Sequence, residues 1–290
     1  MKNALLKMHL AVFLWGFTGV LGRAIDLSEF PLVWYRTMLT ALIFLLILHV
    51  RKQLLPLPPR RALWRFAGIG TIIAIHWVAF YGSIKYANAS IALTCLSTAG
   101  IFTALLEPLI RKVPFRPAEL LVGSIALAGM YFIYRFETGY ALGIGLGLIA
   151  SLLSSVFTVL NKEAVVNTPA RQVAFLEIGA GFLALTVLLP FYRSAFPEVS
   201  FTPTPADWGW LFVLSLCCTV WAQSLALSAL KQISSFTAVL MVNLEPVYGI
   251  ILAIVLFQEN RDLGWGFVTG MLLIALSVGW HTVGMMRKGR

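Results

Sequence analysis

Residues 234–259, SSFTAVLMVNLEPVYGIILAIVLFQE, place an acid and a proline, Glu245 and Pro246, halfway along an apolar run long enough to cross a bilayer. At a rise of ~1.5 Å per residue, about 20 residues cross a hydrocarbon core ~30 Å thick, so both residues fall near its midplane. An ionisable group at that depth is costly unless it faces the inside of a helix bundle or a wet cavity, and a proline there frees a backbone carbonyl. Glu245 therefore points to a polar chamber in mid-membrane, where a carboxylate can hold a polar head group or carry a proton, and Pro246 to a hinge. No basic residue lies within a helical turn of Glu245, so its partner comes from another helix or it is protonated.

Other residues suited to such a chamber lie at similar depth. His76 sits near the midpoint of the third apolar run and needs a hydrogen-bond partner there, either in packing or from a solute. Trp15, at the centre of the first run, is a core residue or an aromatic wall for a ligand, since tryptophan ordinarily marks the interface. Trp77 and Tyr81 follow His76, and Trp221, Gln223 and Asn243 also come toward the centre. Fixed basic charge is missing from this set, so the central helices offer no clustered Arg or Lys for phosphate groups.

Arg36 and Glu177 occupy corresponding places in the second and seventh runs, near the outer and the inner face. They are gate residues pairing alternately across the molecule, or they snorkel to the interface. Glu107 lies four residues before Arg111, the spacing of a helical ion pair. Gly143, Gly147, Ser151 and Ser155, each four residues after the last, form a small-residue stripe that lets helices approach closely, with Ser154 and Thr158 beside it.

The elements that must position these residues follow from composition. Hydrophobic residues make up 59% and charged residues 12% of 290 residues, against ~25% charged in an average soluble domain. Ten apolar runs can be marked, at 5–22, 31–50, 64–84, 91–110, 118–134, 141–160, 172–190, 208–227, 234–257 and 263–284. Little chain is left for a separate catalytic or nucleic-acid-binding domain, and the net charge of +10 sits at helix ends rather than in a nucleic-acid-reading motif. Cys95, Cys217 and Cys218 lie inside apolar runs without metal-ligand or disulfide spacing, and no cofactor motif is present. The charged, apolar N-terminus has no small-x-small cleavage site and reads as a retained first helix.

Of the 22 Lys and Arg, 16 fall in the termini and the even-numbered connections and 5 in the odd ones, with Arg36 inside a run. The positive-inside rule puts both termini in the cytoplasm, which an even number of helices satisfies. The ten also read as two copies. Residues 149–164 repeat the pattern of 10–25, setting Lys162 against Arg23, and 229–238 lie over 82–92, setting Lys231 against Lys85. In that register Pro246 faces Gly100, and the region of Gly270 matches that of Gly123. Five helices per copy, an odd number, force the second copy to be inverted. The expected fold is an all-α membrane protein of ten helices in two inverted five-helix repeats, 1–138 and 139–290.

The pattern of Pro246, an acid at Glu259 and glycines at Gly266 and Gly270, with an early arginine at Arg36 in PLVWYR, resembles the EamA repeat of the drug/metabolite transporter superfamily. The first copy departs from it, with Gly100 and Val113 where proline and the acid are expected. The resemblance implies a ten-helix inner-membrane carrier of small organic solutes, many members being exporters of amino acids, metabolites or toxic cations.

The expected function is secondary transport by alternating access, with no P-loop present to supply ATP. From the lining, the expected substrate is an apolar or aromatic amino acid moving outward, with lipophilic cations as the alternative. A membrane enzyme lacks a catalytic dyad or metal cluster in the sequence, and a channel lacks a filter loop. The expected partners are the lipid bilayer and a small-molecule substrate, with no nucleic acid, and ten helices can enclose a path as a monomer.

Overall fold

The computed structural model describes residues 2–87, 89–133, 140–249 and 265–288. Helix α1, Lys2–Ala24, turns through Asp26 and Ser28 into α2, Glu29–Val50. The proline-rich loop after Lys52, which adopts positive φ, keeps the chain extended until α3, Arg60–Tyr86, starts behind Pro59. Helix α4 comes in two pieces, Ala89–Ser97 and Ala99–Arg111, and is followed by α5, Pro117–Ile133, with proline at its first position where a missing N–H costs nothing.

The second half repeats this order. Helix α6 is Ala141–Ala164 and α7 is Ala170–Ala195, entered after Pro169. Helix α8 spans Pro205–Leu230, opened by a Thr204/Asp207 capping box and widened to a π-helix over Leu216–Trp221. Helix α9 begins as Ser235–Val242 under the Ser234 cap, turns at Asn243 and Leu244, and is helical again from Glu245 to Gly249. Helix α10 is Trp265–Lys288.

Seven of the ten are long and apolar enough to cross a membrane over their described residues. The chain is thus an all-helical membrane protein of two five-helix halves. The expected boundary at 138/139, the far part of the 234–257 run and Glu259 lie outside the described residues.

Each half packs its third helix onto the first two helices of the other. Helix α3 lies against α6 and α7, while α8 lies against α1 and α2, and the fifth helices α5 and α10 pair with each other. The approach of α3 to α7 requires glycine, because a Cβ at Gly70 would overlap the backbone carbonyl of Glu177.

The small-residue stripe of α6 has two uses. Gly143 and Gly147 leave no room for a side chain against Ala87 and Cys95, with a Cβ at Gly147 only 2.7 Å from that of Cys95. Ser155 donates to the Ala99 carbonyl at 2.9 Å and Ser151 to that of Leu96 at 3.3 Å, while Ser151 and Thr98 hydroxyls lie 2.7 Å apart. These bonds satisfy backbone groups loosened where α4 breaks at Thr98. The stripe is therefore more than close packing.

Candidate functional site

A cavity lies between the halves, lined from α1, α2, α3, α4, α6, α8 and α9. Its volume is about 100 Å³. A water needs ~10–15 Å³ on that measure, so the cavity has room for a small solute. Its walls run from Trp77, Phe80 and Leu96 to Met8, Asn161 and Leu230 near the end that carries the N-terminus.

Arg36 lines this cavity and is 2% exposed. Its Nε donates to Thr219 Oγ1 at 2.9 Å, its Nη1 to the Tyr81 hydroxyl at 3.0 Å, and its guanidinium lies 4.0 Å from the Trp77 ring centroid. Thr219 can accept because its own hydroxyl donates to the Leu214 carbonyl five residues back, within the π-helical stretch. The burial of Arg36 corrects one expectation: it does not snorkel to the interface but turns its guanidinium into the cavity.

Glu245 lines the same cavity, and the Thr18 hydroxyl donates to its Oε1 at 3.0 Å, a partner from another helix. Pro246 stands second in the resumed helix of α9, where its missing N–H leaves no bond unmade. Trp15, His76, Trp77 and Gln223 also line the cavity. His76 is fixed by its Nδ1, which donates to the Ala150 carbonyl at 2.7 Å. Because a carbonyl only accepts, the hydrogen on Nδ1 is assigned by that contact.

Three expected members lie elsewhere. Tyr81 is fully buried behind Arg36 and orients it rather than facing the cavity. Asn243 is buried at the break of α9 and does not line the cavity. Trp221 is 53% exposed and faces outward into a groove on the bundle surface. The reason is helical geometry: at ~100° per residue, Trp221 and Gln223 point to nearly opposite sides of α8, so only one can face the centre.

Glu177 does not snorkel either: it is 0% exposed, and its Oε2 accepts from Asn161 Nδ2 at 3.2 Å. Neither Arg36 nor Glu177 forms an ion pair among the described residues. Glu107 does pair with Arg111, at 2.6 Å, and also accepts from Ser235 Oγ at 3.0 Å and the Phe236 amide at 3.3 Å, which ties α4 to α9.

Several lining residues carried weaker signals in the sequence. Ser154, Thr158 and Asn161 form one face of α6, at spacings of four and three, next to the stripe that packs. Asn161 Oδ1 and Glu177 Oε1 are buried without a protein partner among the described residues, which leaves an acceptor at the cavity edge. Thr18 lies one turn beyond Trp15, a relation read only once Glu245 is seen opposite.

The end of the bundle far from the N-terminus is closed across the halves. Phe30 stacks on Tyr192 with centroids 4.2 Å apart, the Asp26 amide donates to Asp207 Oδ1 at 2.9 Å, and Ser83 Oγ donates to the Gly143 carbonyl at 2.7 Å.

A cavity with a buried cation and an acid, enclosed by two interlocked helical halves, is an arrangement that suits a membrane carrier. The family model described as the EamA-like transporter family matches residues 2–135 and 141–281. The chain belongs to this family, a transporter family and not an enzyme family, and carries two such units. A solved structure, described only as a crystal structure of a protein, matches with a TM-score of 0.77 at 18% identity, covering 100% of both chains. That likeness speaks for the fold alone. No curated protein matches this chain.

Proposed function

We propose that the protein exports amino acids with apolar or aromatic side chains, working by alternating access of the central cavity. The observation that carries this reading is Arg36 and Glu245 lining one cavity with Trp15, Trp77 and Phe80. A zwitterion offers a carboxylate to the guanidinium and an ammonium to the carboxylate, while an apolar side chain meets the aromatic walls. A cavity of about 100 Å³ suits one small solute better than a nucleotide sugar.

Lipophilic cations are the second reading, favoured by Glu245 and the aromatic faces at ~0.5 to 2 kcal/mol for a cation–π contact. Arg36 in the same cavity works against a ligand that is only positive. Sugar phosphates remain the poorest fit, because one arginine must then answer two or more charges.

In this reading the termini are cytoplasmic in a bacterial inner membrane, a single chain encloses the path, and the arrangement described here is closed on the far side. Uptake into liposomes tests the substrate. Phenylalanine, leucine and methionine analogues compete for transport while sugar phosphates do not; uptake of a phosphorylated sugar without amino-acid competition overturns the assignment.

A further inference from the structure

We propose that the groove on the bundle surface between α1, α2 and α8 holds an anionic phospholipid from the leaflet on the N-terminal side. The groove has a volume of about 640 Å³ and shares no lining residue with the central cavity. Its floor is α8, which packs against both α1 and α2, and Phe13, Leu46 and Trp221 present apolar surface that the protein leaves exposed. These residues belong to segments long and apolar enough to span the membrane, so hydrocarbon chains are their surroundings.

One end of the groove is different in kind. Arg51, which follows α2, and Arg171, in the first turn of α7, both line it and both are exposed. Among the described residues neither has a carboxylate within 4.0 Å. Two unpaired guanidinium groups at the rim of an apolar groove match a phospholipid in both parts: acyl chains lie along the walls and the phosphate meets the planar forks. A neutral apolar occupant leaves the arginines unanswered, and a free anion leaves the walls uncovered.

The floor of the groove is also the rear of the substrate site. Val220 and Trp221 face the groove, while Thr219 beside them in the same π-helical stretch holds Arg36. An occupant therefore packs against the segment that positions the cavity's cation.

The test uses the full chain in detergent, titrated with dioleoyl phosphatidylglycerol or dioleoyl phosphatidylcholine and read by native mass spectrometry. Phosphatidylglycerol is retained at least tenfold better. Replacing both Arg51→Gln and Arg171→Gln brings it to the level of phosphatidylcholine, and Leu46→Trp, which narrows the groove and keeps both arginines, also lowers retention. Glycerol phosphate without acyl chains does not displace the lipid. Equal retention of the two lipids, an unchanged preference in the double variant, no effect of Leu46→Trp, or displacement by glycerol phosphate each overturns the proposal.

Discussion

The two halves line the cavity from the same positions with different side chains. Trp15 and Ser154, Thr18 and Phe157, Trp77 and Gln223, Phe80 and Ala226, and Leu96 and Val242 are counterparts in the register of the repeat, and all ten residues line the cavity. At three of these pairs the first half supplies the large aromatic residue and the second a small or polar one. The charged residues break the symmetry further, since Glu245 corresponds to Ala99, while Arg36 lines the cavity and its counterpart Glu177 does not. The order of helices is duplicated, and the chemistry is divided. An inverted repeat needs equivalent helices so that either half can rock against the other, but a small asymmetric solute needs unlike groups around it.

The largest effect is expected at Arg36, where one side chain joins both halves. Lysine keeps the charge but loses the planar fork that reaches Thr219 and Tyr81 while lying over Trp77. Losing one hydrogen bond to a charged group costs ~1.5 to 3 kcal/mol, so Arg36→Lys should slow liposome transport about 10- to 100-fold. A lysine variant with the full rate would make the guanidinium a matter of packing alone.

Next comes Glu245, the charge that only the second half contributes. Glu245→Gln retains shape and the contact with Thr18 while removing the charge. The variant should elute normally on gel filtration and transport about tenfold more slowly or worse, the ~1.4 kcal/mol equivalent of one weakened ionic contact. Normal transport would reduce Glu245 to a packing acid and leave Arg36 as the sole holder of the head group.

Giving the second half the first half's bulk tests whether the division of size matters. Ala226→Phe copies Phe80 across the cavity, and filling a packed space typically costs ~1 to 3 kcal/mol. Phenylalanine transport should fall roughly fivefold while alanine transport falls less. An equal fall for both would mean that the substitution disturbs the helices rather than the space available to substrate.

How much of this was readable from the sequence depends on the range of the interactions involved. Ten apolar runs and the repeat register follow from local hydropathy and spacing, and the structure has helices at all ten. Glu245, His76, Trp15 and Trp77 are legible by depth, because depth follows from position along a span, and Gln223 through the inverted register. Facing is not: the register brings Trp221 toward the centre as well, and only rotation about α8 separates it from Gln223. The inward turn of Arg36 is not legible for a related reason, as its partners Thr219 and Tyr81 come from distant helices and the π-helical turn that frees Thr219 has no pattern in the hydropathy. The serines of α6 were legible as small residues, but their bonds to the broken α4 required knowing where α4 breaks.

The smallest effect is expected at Trp221, and its value lies in the contrast with Trp77. Both are tryptophans at similar depth on corresponding helices, one facing outward and the other lying under the Arg36 guanidinium in the cavity. Leucine at 221 keeps an apolar side chain toward the bilayer, so Trp221→Leu should change transport by less than about twofold, within the ~0.5 kcal/mol expected of exposed positions. Trp77→Leu removes a cavity wall and a cation–π contact worth ~0.5 to 2 kcal/mol, and should lower transport several-fold more than its partner substitution. Measured side by side in the same liposomes, the two variants separate facing from depth. Equal losses would show that α8 turns Trp221 inward during the transport cycle, and the outward face seen here would then belong to one state of the carrier rather than to both.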